Sequence, residues 1–156
     1  MRIALLAIGR LGRDPAAALA RDYAERATAS GRALGLGPVE IIELEARKPG
    51  KAAEAEALRT ALGAEPTYLI ACDERGKAHP SRAFAERIGR LRDGGERRLA
   101  FVIGGADGLD PAFVAEARET LAFGPQTWPH ALARAMLAEQ VYRAVTILAG
   151  SPYHRD

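Results

Sequence analysis

Short apolar runs alternate with helical periodicity from one end of the chain to the other. The runs at Ile3–Ile8, Val39–Leu44, Thr67–Cys72, Leu99–Ile103 and Thr120–Phe123 predict strands. Between them lie helical patterns over Pro15 to about Ala33, Lys51–Leu62, Ser81–Arg92 and Pro111 to about Arg118, and a last one from Pro129. Asp14 and Asp110 each precede a proline, the arrangement of an N-cap followed by Pro at the first helical position, and glycines 35 and 37 stop the first helix. Within Ser81–Arg92, Phe84, Ile88 and Leu91 fall on one face while Arg82, Glu86, Arg87 and Arg90 cover the other. Strands that alternate with helices in this way predict βαβ units, an α/β class and a mainly parallel sheet.

The last helix carries two apolar stripes. Leu137, Val141, Val145 and Leu148 make one, and Leu132, Ala135, Met136 and Tyr142 the other. Two faces predict packing on the chain's own core and on a second copy, with Val141 and Val145 as candidate interface positions. A helix buried wholly in its own core reads the same way.

With 156 residues the chain fits a single domain over 1–156, too short for separate cofactor and substrate domains. The amino-terminal run stops at Gly9-Arg10 without a cleavage site, so it reads as a strand and not as a signal peptide. No stretch approaches a bilayer span. The lone Cys72 has no internal disulfide partner, and a cytoplasmic protein is expected. A net charge of +2 excludes a broad electrostatic grip on nucleic acid, so any RNA contact must come from local patches or from shape. Lysine occurs at 48, 51 and 77 alone, and two of the three sit in the basic turn Arg47-Lys48-Pro49-Gly50-Lys51.

Two segments point to a ligand. Phe101-Val-Ile-Gly-Gly-Ala-Asp-Gly-Leu-Asp110 is a buried strand opening into glycines, which let a ligand approach the backbone at the edge where open α/β sheets bind. A tight turn explains one of those glycines equally well. Gly124-Pro-Gln-Thr-Trp-Pro-His130 is stiffened by Pro125 and Pro129, which fix φ at two places and hold Trp128 extended. Nicotinamide binding is disfavoured because the first strand is followed only by Gly9-x-x-Gly12, and no Walker loop or G-x-S-x-G elbow occurs. His79, His130 and His154 lack paired ligand spacing, so no metal is expected. The chain ends with an aromatic, an imidazole and a guanidinium at Tyr153, His154 and Arg155, an unusual load for a terminus.

Together, Ile103-Gly-Gly-Ala-Asp-Gly-Leu109, Thr127-Trp-Pro-His130, Glu139-Gln-Val-Tyr-Arg143 and Pro152-Tyr-His-Arg-Asp156 resemble the ribosomal RNA large subunit methyltransferase H family over the whole chain. That family belongs to the SPOUT class, so the resemblance implies a carboxyl-terminal trefoil knot, a homodimer and S-adenosylmethionine as methyl donor. It also implies methylation of N3 of a pseudouridine in helix 69 of 23S rRNA within the 70S ribosome, with no membrane and no metal. Carried over by position, the cofactor residues are Cys72, Gly104, Phe123, Gly124, Pro125, Gln126, Thr127 and Trp128. Leucine is common in the family where Cys72 stands, and Ser151 replaces a frequent histidine, which argues against a catalytic role there.

The reaction needs the N3 proton to leave, so a base or an anion-stabilising cation helps. His154 is the candidate base, Arg155 the anion's partner, Tyr153 a stacking group, and His130 lies near the cofactor loop. Purely structural roles for these side chains fit the sequence as well. Two other readings of the chain stay open, a non-enzymatic RNA-binding module and a knotted tRNA methyltransferase. The first predicts no binding of S-adenosylmethionine.

Overall fold

The computed structural model describes residues 1–155; Asp156, which closes the tail motif, lies outside the described residues. Five strands, β1 (Arg2–Ile8), β2 (Val39–Leu44), β3 (Tyr68–Lys77), β4 (Arg98–Ile103) and β5 (Glu119–Leu121), form one sheet in the order β2-β1-β4-β3-β5. Every strand pairing in it is parallel, as the alternation of strands and helices predicts. The intervening helices are α1 (Pro15–Gly31), α2 (Lys51–Leu62), α3 (Ser81–Asp93), α4 (Pro111–Glu116) and α5 (His130–Leu148).

β1, β4 and the first half of β3 bury both faces, which is why they read as continuous apolar runs. On one face Ile3, Leu5, Ile70, Leu99 and Phe101 meet α1, α3 and α5. On the other, Ala4, Leu6, Leu69, Ala100 and Val102 meet α2 and α4. The first face is the thicker. Ala17, Ala20, Ala24 and Ala27 form a buried stripe along α1 at helical spacing, and such small side chains bring α1 close against α5. Asp14 and Asp110 cap α1 and α4 as expected, accepting from Ala16 N at 2.8 Å and from Ala112 N at 2.8 Å.

Four expectations are corrected. First, α1 stops at Gly31 and passes into a 3₁₀ turn, Arg32–Leu34, closed by Gly35 in the left-handed region at φ 66°. Second, β3 does not end at Cys72 but continues through an irregularity to Lys77. There the chain crosses β5 so closely that a Cβ on Gly76 would lie 2.7 Å from the Leu121 backbone, and only glycine fits. Third, α4 ends at Glu116, β5 is Glu119–Leu121, and Pro129 stands outside α5 as its N-cap. Fourth, Val141 and Val145 are fully buried in the chain's own core and face no second copy. Of the second stripe, Ala135 is buried, Met136 and Tyr142 are half-buried, and Leu132 alone is well exposed.

Among the described residues no helix is long and apolar enough to cross a membrane, and no group of three or more His, Cys, Asp or Glu is placed to hold a metal.

Candidate active site

The carboxyl ends of β3, β4 and β5 open into a cleft of about 820 Å³. Its walls are the two loops singled out in the sequence, and its floor includes Ile103, Leu109, Leu121 and Ala122, all buried. Cys72, Gly104, Phe123, Gly124, Gln126, Thr127, Trp128 and His130 all line it. Pro125 does not, although it belongs to the same loop.

The glycine loop leaves β4 at Gly104 and folds back on itself. Gly108 N donates to Gly105 O at 3.0 Å, and Gly108 takes φ 79°, a left-handed value that a glycine adopts without strain. A Cβ on Gly104 would lie 2.6 Å from the Gly108 carbonyl carbon, so the loop's own closure already excludes a side chain at this point of the cleft lining.

The second wall, residues 123–129, is closed across its base by Trp128 Nε1, which donates to Phe123 O at 3.3 Å. Thr127 Oγ1 donates to Glu74 Oε2 at 3.3 Å, tying this loop to the end of β3. Trp128 itself stays 40% exposed, a large apolar surface at the mouth. The half-buried Cys72 lies in β3 just before its irregularity, and burial pushes the thiol's pKa up to about 12. The neighbouring Asp73 is held below the usual carboxylate range by hydrogen bonds from Arg75, against a smaller opposing effect of burial.

Sequence reasoning missed Arg134. It sits on α5 one turn past His130 and is 3% exposed. Its Nη1 donates to Gly9 O at 2.8 Å and to Glu43 Oε1 at 3.2 Å, and its Nη2 donates to Ile8 O. Glu43 also accepts from Leu11 N at 3.1 Å. Burial lowers the Arg134 pKa from its ordinary value while Glu43 works the other way, and Arg134 Nε has no partner. The guanidinium thus joins the start of α5 to the ends of β1 and β2.

The tail lies elsewhere. Tyr153 packs on Tyr142 with ring centroids 4.7 Å apart, donates to Glu139 Oε1 at 3.0 Å, and lies under the Arg143 guanidinium at 4.9 Å. Burial, with hydrogen bonds to Tyr23 and Glu139, raises the Tyr153 phenol well above its ordinary pKa, so it stays protonated. Arg143 Nη1 reaches His154 Nδ1 at 3.2 Å. A guanidinium only donates, so Nδ1 accepts and a neutral His154 carries its proton on Nε2. None of Tyr153, His154 and Arg155 lines the cleft of its own chain.

Fold and cleft together define a parallel α/β protein with a cleft of small-molecule size at the carboxyl edge of its sheet, between a glycine turn and a proline-stiffened loop. The chain belongs to the SPOUT methyltransferase family and, within it, to the ribosomal RNA large subunit methyltransferase H family: the family described as "Predicted SPOUT methyltransferase" matches residues 1–154. It is 76% identical to the ribosomal RNA large subunit methyltransferase H of Caulobacter sp. (strain K31) and 74% identical to that of Phenylobacterium zucineum (strain HLK1), each match covering 100% of both chains. Among solved structures it is similar in fold to a probable methyltransferase from Bordetella pertussis Tohama I, with a TM-score of 0.52 and 18% identity over 92% of this chain and 96% of that one. A probable methylase family protein from Haemophilus influenzae Rd KW20 gives a TM-score of 0.53 and 14% identity over 99% of this chain and 70% of the other.

Proposed function

We propose that the protein transfers a methyl group from S-adenosylmethionine to N3 of a pseudouridine in helix 69 of 23S rRNA in the assembled 70S ribosome. On this reading it works in the cytoplasm as a homodimer, each copy one SPOUT-type domain over 1–156 with a carboxyl-terminal trefoil knot. The observation that carries the proposal is full-length identity of 76% to a relative named ribosomal RNA large subunit methyltransferase H, in a chain whose two conspicuous loops wall one cleft.

The cleft suits the cofactor. Its volume of about 820 Å³ lies in the range of small-molecule sites. Buried Ile103, Leu109 and Leu121 offer an apolar bed, the two loops present backbone groups, and the Glu74 carboxylate offers negative charge to a sulfonium, Asp73 being paired with Arg75. Cys72, Gly104, Phe123, Gly124, Gln126, Thr127 and Trp128 would hold it, with Pro125 setting the loop's shape from outside the lining and His130 at the helix start beside it. When bound, it would supply an electrophilic methyl to the base nitrogen, whose proton a side chain of the protein would accept. Alignment of the base is the protein's main contribution.

The tail groups would act in trans. Tyr153 lies level with Glu139 and Tyr142, roughly 14–18 Å along the α5 axis from His130 at the rise of an α-helix. Tyr153, His154 and Arg155 therefore reach a base only over the cleft of a second copy, where a protonated Tyr153 stacks, Arg155 steadies the deprotonated base, and His154 accepts the proton once its ring leaves Arg143. Leu19, Leu132 and Trp128, exposed by 48%, 40% and 40%, are apolar surface that a second copy would cover.

The test mixes the protein with labelled S-adenosylmethionine and ribosomes from a strain lacking the corresponding gene, then maps the label. Label at the N3 of one helix 69 pseudouridine is expected, and label in tRNA or none at all refutes the assignment. Truncation after Pro152 should leave cofactor affinity within about threefold while transfer falls at least about a hundredfold.

A further inference from the structure

We propose that Arg13, Arg47 and Lys48 form a preorganised ridge beside the cleft that grips the phosphodiester backbone of the substrate RNA; the proposal rests on the reading of the protein as an RNA methyltransferase. The ridge is built from the loops that follow β1 and β2, at the sheet edge that also holds the cleft. In the parallel pairing Ile8 stands beside Leu44, and Gly9 N donates to Leu44 O at 2.7 Å, so the two loops leave the sheet side by side. Arg10 and Glu45 join them across an ion pair of 3.5 Å. The second loop then enters α2, whose first residue Lys51 lines the cleft.

The carboxylates of these two loops are already engaged. Asp14 is engaged in capping α1, Glu43 meets buried Arg134, and Glu45 meets Arg10. Arg13, Arg47 and Lys48 are exposed, and among the described residues their side chains make no ion pair or hydrogen bond. A chain with a net charge of only +2 thus concentrates uncompensated cations at one rim of its cleft. The partner that fits is a polyanion with charges spaced along a strand, because the cations sit on adjacent backbone turns and not around one concave point.

The first of these loops is also fixed before any ligand arrives. Asp14 N donates to Leu11 O at 3.0 Å, Leu11 N to Glu43, and Arg134 holds the Ile8 and Gly9 carbonyls from beneath. Ordering that loop on binding therefore takes little from the affinity.

The experiment measures equilibrium binding to ribosomes as a function of KCl, and methyl transfer in parallel, for the wild type and for R13Q/R47Q/K48Q. A control, R32Q/R90Q/R97Q, removes the same charge from exposed arginines near the opposite edge of the sheet. Each lost phosphate contact should lower the slope of log K against log salt by about 0.7–0.9, so the ridge variant should lose roughly two units and bind at least tenfold more weakly at physiological salt. Its affinity for S-adenosylmethionine and its melting temperature should match the wild type, and the control should keep the wild-type slope. An unchanged slope, or equal losses in both triple variants, overturns the ridge even if methylation stands. Binding with the expected slope loss but without methylation by the wild type overturns the assigned reaction and leaves the ridge in place. A wild type that binds no ribosome at low salt overturns both.

Discussion

Replacing Arg134 by methionine tests whether the sheet edge that holds the cleft depends on one buried cation. Methionine keeps most of the volume but removes every donor, so the carbonyls of Ile8 and Gly9 lose the guanidinium together and Glu43 keeps only the Leu11 N–H. Glu43 is partly open to water, its side chain 28% exposed, and should suffer least. The carbonyls are worse placed, at about 1–3 kcal/mol for each buried acceptor left unmade. The sum falls near the 3–5 kcal/mol typical of breaking a buried pair by removing one partner. In a domain of this size that lowers the melting temperature by roughly 6–20 °C. Urea titration followed by circular dichroism supplies the free energy, and calorimetry the midpoint. Added salt should leave the difference intact, because a buried pair is screened far less than a surface one. Glu43→Gln keeps a carbonyl acceptor for Arg134 and should be milder. A methionine variant within about 1 kcal/mol of the wild type would mean that water, and not the guanidinium, satisfies those carbonyls.

Three further outcomes follow from burial and charge. Val141→Asp should unfold the protein, since Val141 is fully buried, whereas Leu132→Asp should leave each chain folded and shift the sedimentation coefficient toward monomer; a folded Val141→Asp monomer would restore the interface role its sequence stripe suggests. Cys72 should react with iodoacetamide at pH 8 far more slowly than a model thiol, because a pKa of about 12 leaves roughly one thiolate in ten thousand; labelling at the model rate would refute the desolvated thiol. Burial works to raise the Glu119 pKa, but hydrogen bonds from Arg87 and Tyr68 outweigh it and hold the carboxyl below its ordinary value. Its ionised form therefore stabilises the fold above the unfolded-state pKa and loses that effect as pH falls through the folded one. The stability gap between wild type and Glu119→Gln in urea should be present at pH 7 and narrow below about pH 4; a constant gap would refute it.

How far the molecule could be read from its residues depends on whether a signal is local. β1, β4 and the first half of β3 are legible because both their faces are buried, and Asp14-Pro15 and Asp110-Pro111 mark helix starts by chemistry that needs no distant partner. The extension of β3 is not legible: Asp73-Glu74-Arg75-Gly76 is polar and turn-like, and it stays extended only because Leu121 passes against Gly76. Arg134 is hidden for a related reason. An arginine on a helix reads as a solvated surface residue, and what buries it is a pair of carbonyls 125 and 126 positions earlier in the chain. The two cleft loops announce themselves through glycine and proline, yet the loop's own closure already excludes a side chain at Gly104, which sequence cannot separate from a ligand's approach. Charge behaves in the same way. Arg13 and Arg47 look like two of many exposed arginines until the parallel register of β1 with β2 sets their loops together. The tail is the furthest case, since a helix of 19 residues stands between it and the loop that precedes His130. That helix, about 28 Å long, turns adjacency in sequence into separation in space, so that none of Tyr153, His154 and Arg155 lines the cleft of its own chain although His130, at the helix start, does.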